Sequence, residues 1–191
     1  MINTNNNVKG FTLIELLIVI GILGVLAAAV VVVLNPAELL AQSRDAQRLS
    51  DLGNINSALA FYASNASTVT LGETAYHSQA TTTADTCQGV STVGLASSTY
   101  RDVDGTGWVD VDFTELSGVG GSPLSVLPVD PSNNTTYFYC YDANNTAKTW
   151  ELSATLESTK YATTQDLDAT DGGNSAAFYE LGTDPGLDIV S

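Results

Sequence analysis

Hydrophobic and polar positions divide this chain into three stretches of different character. From Phe11 to Leu34 run 24 residues whose only charged side chain is Glu15. At a rise of about 1.5 Å per residue, a helix over that run spans about 36 Å, enough to cross a bilayer core of about 30 Å. At Asn35-Pro36 the character changes. Proline lacks a backbone donor and crowds the preceding turn, so a kink or brief break is expected there. Helical periodicity then resumes, with Leu49, Leu52, Ile55, Leu59 and Tyr62 at intervals of three and four, one stripe of an amphipathic helix ending near Asn65. Arg44 and Arg48 lie one turn apart with Asp45 and Asp51 in reach of Arg48, which suits a solvated opposite face.

Beyond residue 65, strand and turn signals take over. Thr106–Phe113 alternates, with Trp108, Asp110 and Asp112 on one face and Val109, Val111 and Phe113 on the other. Thr135–Tyr141 and Lys148–Leu156 are β-rich, and the segment Asp142–Ala147 between them predicts a hairpin with a longer loop. Gly120–Asn134 reads as a proline-punctuated loop feeding the first of these strands. Residues 66–100, mostly Thr, Ser, Ala and Gly, predict only irregular structure. The expected class is α+β, a long N-terminal helix packed on a small antiparallel sheet.

Composition changes this picture in two ways. Six Lys+Arg against 21 Asp+Glu give a net charge of −15, and binding to nucleic acid needs clustered cations, so no nucleic-acid partner is expected. Lys9 ahead of the apolar run, with no further Lys or Arg until Arg44, points to a cytoplasmic N-terminus. A secretory signal cleaved near Leu26–Val30 is the competing reading, but the apolar run continues past that cut. The two cysteines, Cys87 and Cys140, sit in no CxxC or histidine cluster. Outside the cytoplasm they could pair across about fifty residues, worth about 4 kcal/mol in the chain-entropy model; two buried free thiols are the alternative.

Candidate chemistry is sparse. Asp102, Asp104 and Thr106, followed by Gly107, fit the first positions of a calcium loop of the EF-hand type, but the twelfth position is Phe113. Asp166, Asp168 and Asp171 cluster in a glycine-ended loop. His77, the single histidine, reads as a surface loop residue, and no catalytic arrangement accompanies it. Tyr137, Tyr139 and Tyr141 share one strand face, suited to an adhesive patch or to cross-strand packing. The sequons at Asn133 and Asn144 are compatible with surface glycosylation. No enzymatic role is expected.

The stretch "KGFTLIELLIVIGILGVLAA" resembles the processing and assembly signature of type IV pilins and type II secretion pseudopilins. A Gly precedes the cut, an aromatic follows it, and a Glu stands fifth in the mature chain ahead of a long apolar run. The resemblance implies a leader over 1–10, a membrane and assembly half of the helix over 11–34, an amphipathic half over 35–65 and an extracytoplasmic β-rich domain over 66–191. It implies cleavage of Gly10–Phe11 by a prepilin peptidase, N-methylation of Phe11, and a mature side-chain charge of −16 once Lys9 is removed. Glu15 would pair with the Phe11 ammonium of a neighbouring subunit, or with its own one turn away, and so set register in a helical homopolymer. A Glu favoured by the helix dipole is the plainer account of the same residue.

Further partners implied are membrane lipid before assembly and an inner-membrane assembly platform. The implied location is the inner membrane, then a filament on the cell surface. "LPVDPSNNTTYFYCY" resembles the loop and strand of the major-pseudopilin domain, whose calcium site in the C-terminal loop region makes Asp166, Asp168 and Asp171 calcium candidates. The expected function is therefore the prepilin of a type IV pilus-like filament. The alternatives are a type II secretion pseudopilin and, in another class, a tethered or secreted binding module, with calcium dependence an option.

Overall fold

The computed structural model describes residues 10–72, 74–79 and 85–189. The leader residues 1–9 expected from the sequence lie outside these. The chain divides into two compact units, Met1–Leu39 and Leu40–Ser191.

In the first unit, helix α1 (Leu13–Leu34) carries the apolar run, and none of its residues is buried. It stops at Asn35, which adopts a left-handed conformation (φ 39°, ψ 76°). The residue before a proline is steered out of the right-handed helical region, so the break falls one residue ahead of Pro36. Helix α2 (Pro36–Asn65) starts on that proline, where the missing donor costs nothing. The Asn35 carbonyl accepts from the amides of Glu38 (3.0 Å) and Leu39 (3.3 Å) and so begins the new helix.

In the second unit, α2 packs against a four-stranded antiparallel sheet of order β1-β4-β5-β6. Its strands are β1 (Tyr76–His77), β4 (Tyr139–Asn144), β5 (Thr149–Ala154) and β6 (Tyr179–Gly182). Strands β4 and β5 form the expected hairpin, paired from Tyr139↔Ala154 to Asn144↔Thr149. Leu52, Ile55, Leu59 and Tyr62 of α2 are buried, as their spacing predicts, against Tyr139, Tyr141, Trp150 and Leu152 of the sheet. Polar tips find partners: Trp150 Nε1 donates to Asn56 Oδ1 (2.8 Å), and the Tyr139 hydroxyl to Asp51 Oδ2 (3.0 Å).

Two sequence expectations need correction. Thr106–Phe113 is not a strand; it is a bent loop leading into a 3-10 turn at Phe113–Val119. Trp108 and Val109, adjacent in sequence, are both fully buried, which strand alternation forbids. Gly107 explains the path, since a Cβ there would collide with the Asp102 carbonyl and the Leu127 side chain. The reading of residues 66–100 as irregular overlooks β1 and a second sheet, the hairpin β2 (Asp85–Cys87) and β3 (Val90–Thr92). Gln88 and Gly89 turn this hairpin with φ of 50° and 95°, the mirror-image geometry that two-residue hairpins favour.

Candidate assembly site

The chemistry at the head of α1 begins with Thr12, whose extended backbone places it at the N-cap. Its hydroxyl oxygen accepts from the Glu15 amide (3.3 Å), and Glu15 Oε2 accepts from the Thr12 amide (2.8 Å) and hydroxyl (2.7 Å). This reciprocal pair is a capping box, which satisfies amides that the first helical turn leaves open. Thr12 is not among the partners expected for Glu15, although Thr-x-x-Glu is legible in "TLIE". Glu15 Oε1 carries no hydrogen bond among the described residues. Gly10 is exposed, and so is Phe11 at 89%. Behind them, α1 is long and apolar enough to cross a membrane, with its Leu, Ile and Val side chains outward.

The two acidic loops place their carboxylates in different settings. Asp104 Oδ1 accepts from the Thr106 amide (3.1 Å) and hydroxyl (2.6 Å), closing a turn on itself, while Asp102 is exposed. Asp171 is committed to the amides of Gly173 (2.9 Å) and Glu180 (2.6 Å), and Asp166 is exposed in a left-handed conformation. Asp168 turns inward; burial, joined by the charges of Asp166 and Asp171, pushes its carboxyl pKa up. Among the described residues, no group of three or more His, Cys, Asp or Glu is arranged to hold a metal ion.

The charges of α2 are the largest departure from sequence reasoning. Arg48 and Asp45 are completely buried rather than solvated. Arg48 clasps Asp130 with two bonds, Nε to Oδ2 (2.6 Å) and Nη2 to Oδ1 (2.9 Å), and reaches Asp45 Oδ1 (2.7 Å) and Glu157 Oε1. Arg44 adds a bridge to Glu157 (2.5 Å), and Asp45 accepts from the amides of Glu157 (3.0 Å) and Ser158 (2.7 Å). Burial opposes the Arg48 charge, but the bonds to Asp130 and Glu157 outweigh it and raise the Arg48 pKa. The Arg44 hydrogen bonds, helped by Arg48 and opposed by burial, hold the Glu157 carboxyl down at about 2.

Other residues also move from their expected places. His77 is no surface residue: it is buried in β1, with Nδ1 at 2.7 Å from Thr92 Oγ1 and its ring edge-on to Phe138. Tyr139 and Tyr141 are core residues, so the three tyrosines form no adhesive patch; Tyr137 stacks on the Arg48 guanidinium at 4.9 Å. Cys87 and Cys140 are joined by a disulfide, with Cα atoms 6.1 Å apart, which ties the β2–β3 hairpin to β4.

Compared with known families, residues 5–31 match the prokaryotic N-terminal methylation motif. No curated protein and no solved structure matches the chain. The matched segment runs across the Gly10–Phe11 step, the Thr12–Glu15 box and most of the exposed apolar helix. This chain therefore carries the N-terminal signature of type IV pilins and pseudopilins.

Proposed function

We propose that this protein is the prepilin subunit of a type IV pilus-like filament. One observation carries the reading: α1 is an apolar helix with every side chain exposed, headed by a carboxylate held in a capping box. Such a helix needs lipid or copies of itself around it, and the processing signature ahead of it supplies a route from one to the other. A prepilin peptidase cuts Gly10–Phe11 at the cytoplasmic face, and the new Phe11 amine is methylated. The subunit waits as a single-pass inner-membrane protein until an assembly platform moves it into a bundle of α1 helices, with the sheet domains outside.

Apolar packing supplies most of the cohesion. Glu15 supplies register, because its Oε1 can take the Phe11 ammonium of a neighbour while Oε2 stays on Thr12. A misaligned subunit leaves both charges unpaired in an apolar bundle, which is strongly disfavoured. The second reading, a type II secretion pseudopilin, draws on the loop containing Asp130, which resembles the pseudopilin loop and here clasps Arg48. The same subunit would then act as a short piston rather than a surface fibre.

Mass spectrometry of the N-terminus of the full chain expressed with a prepilin peptidase tests the proposal. A methylated Phe11 is the expected outcome; an intact Met1, or a chain beginning at Val30, overturns it in favour of a tethered or secreted module. Glu15→Val is expected to be processed normally and to yield no filaments by electron microscopy. Wild-type filament yield in that variant removes the register role.

A further inference from the structure

The outer face of the sheet, opposite α2, holds a pair of buried carboxylates outside the α1 segment. Glu151 of β5 and Glu180 of β6 are 0% and 1% exposed. Ser153 lies directly across from Glu180 in the strand register and two residues from Glu151, so all three side chains share one face. Ser153 is itself fully buried, and its Oγ has no hydrogen-bond partner among the described residues. The turn of the β2–β3 hairpin covers the group: Gln88 Nε2 donates to Glu151 Oε1 (3.2 Å) and Glu180 Oε1 (2.8 Å). The remaining carboxylate oxygens accept amides, Glu151 Oε2 from Ile189 (3.0 Å) and Glu180 Oε2 from Ser175 (2.9 Å). The disulfide on the neighbouring Cys87 holds the Gln88 turn in place.

We infer that Glu151, Ser153 and Glu180, closed over by Gln88, form a calcium site. The chemistry is that of a hard cation: two carboxylates, a hydroxyl and an amide carbonyl, with no nitrogen or sulfur ligand. Two negative charges buried side by side match one divalent ion, and a buried hydroxyl without a partner gains a bond. Half a turn of the Gln88 amide replaces its NH2 with its carbonyl oxygen, converting the present donor into a ligand. Gln88 and Ser175, which bond these carboxylates, also line an open groove of about 470 Å³ with Thr86, Gly89, Asn174 and Phe178, the side from which an ion would enter. Calcium suits the site better than magnesium, which demands near-ideal octahedral geometry and sheds its waters reluctantly. The site is separate from the acidic loops, where Asp104 and Asp171 bond their own loop backbone, Asp102 and Asp166 are exposed, and Asp168 is buried in the C-terminal loop.

The test uses the full chain in detergent, purified with chelator and then dialysed against radioactive calcium at up to about 1 mM, the range of extracellular modules. One ion per chain is expected, together with a rise of several degrees in the unfolding midpoint. Ser153→Ala is the decisive variant, because it removes an unpartnered hydroxyl and leaves the ion-free midpoint unchanged or higher. It is expected to weaken calcium binding about tenfold, and Glu180→Gln is expected to abolish it. Absence of bound calcium in the wild-type chain overturns the proposal. So does binding that survives both variants but is lost in Asp168→Asn, which places the ion in the C-terminal loop. An equal midpoint shift with magnesium overturns the choice of calcium.

Discussion

Arg48 shows how much a single side chain can hold. It is fully buried and meets three carboxylates from three parts of the chain, Asp45 on its own helix, Asp130 in the proline-bearing loop and Glu157 just after β5. Removing one member of such a group strands the others without water or counter-charge, which costs far more than the net worth of the pair. Arg48→Ala is therefore expected to destabilise the domain by about 3–5 kcal/mol, measured by chemical denaturation. Glu157 gives the pH dependence. Its folded pKa of about 2 lies below the ordinary carboxylate value, so its contribution is complete above about pH 5 and is lost as pH falls toward 2. Asp51 and Asp142 run the other way, because burial raises both. The measurement is thus the stability difference between wild type and Glu157→Gln, expected to shrink steadily from pH 5 to pH 2.

Among the elements, the β2–β3 hairpin depends most on one bond. It has three residues per strand, too few to stand alone, and among the described residues its apolar cluster is Cys87, Phe138 and Cys140 with Val90 beside it. The Cys87–Cys140 disulfide closes a separation of 53 residues, for which chain entropy gives about 4 kcal/mol. Cys87→Ser with Cys140→Ser is expected to lower stability by roughly that amount and to raise amide exchange over Asp85–Thr92 more than over β4 and β5. Uniform exchange across the sheet would mean that the bond supports the whole domain rather than this hairpin. The helices were far more legible than this hairpin. Leu52, Ile55, Leu59 and Tyr62 announce α2 by their spacing, whereas "DTCQGVST" carries no strong β signal beyond the turn at Gln88-Gly89.

For the whole molecule, α1 and the remainder obey different physics. The apolar run and the methylation motif over residues 5–31 were legible in order along the chain because both are contiguous signals. The amphipathic stripe of α2 and the β4–β5 hairpin were legible for a related reason, since periodicity and turn chemistry are local. Tertiary structure alone decided the rest. It turned Arg48 and Asp45 from a solvated face into a buried clasp, because their partners Asp130 and Glu157 lie 82 and 112 residues away from Arg48 and Asp45 respectively. It took His77 into β1, bent Thr106–Phe113 into a loop, and set Glu151, Ser153 and Glu180 side by side beneath Gln88. A charged residue on a helix reads as exposed until a distant segment closes over it, and only the folded chain brings that segment there.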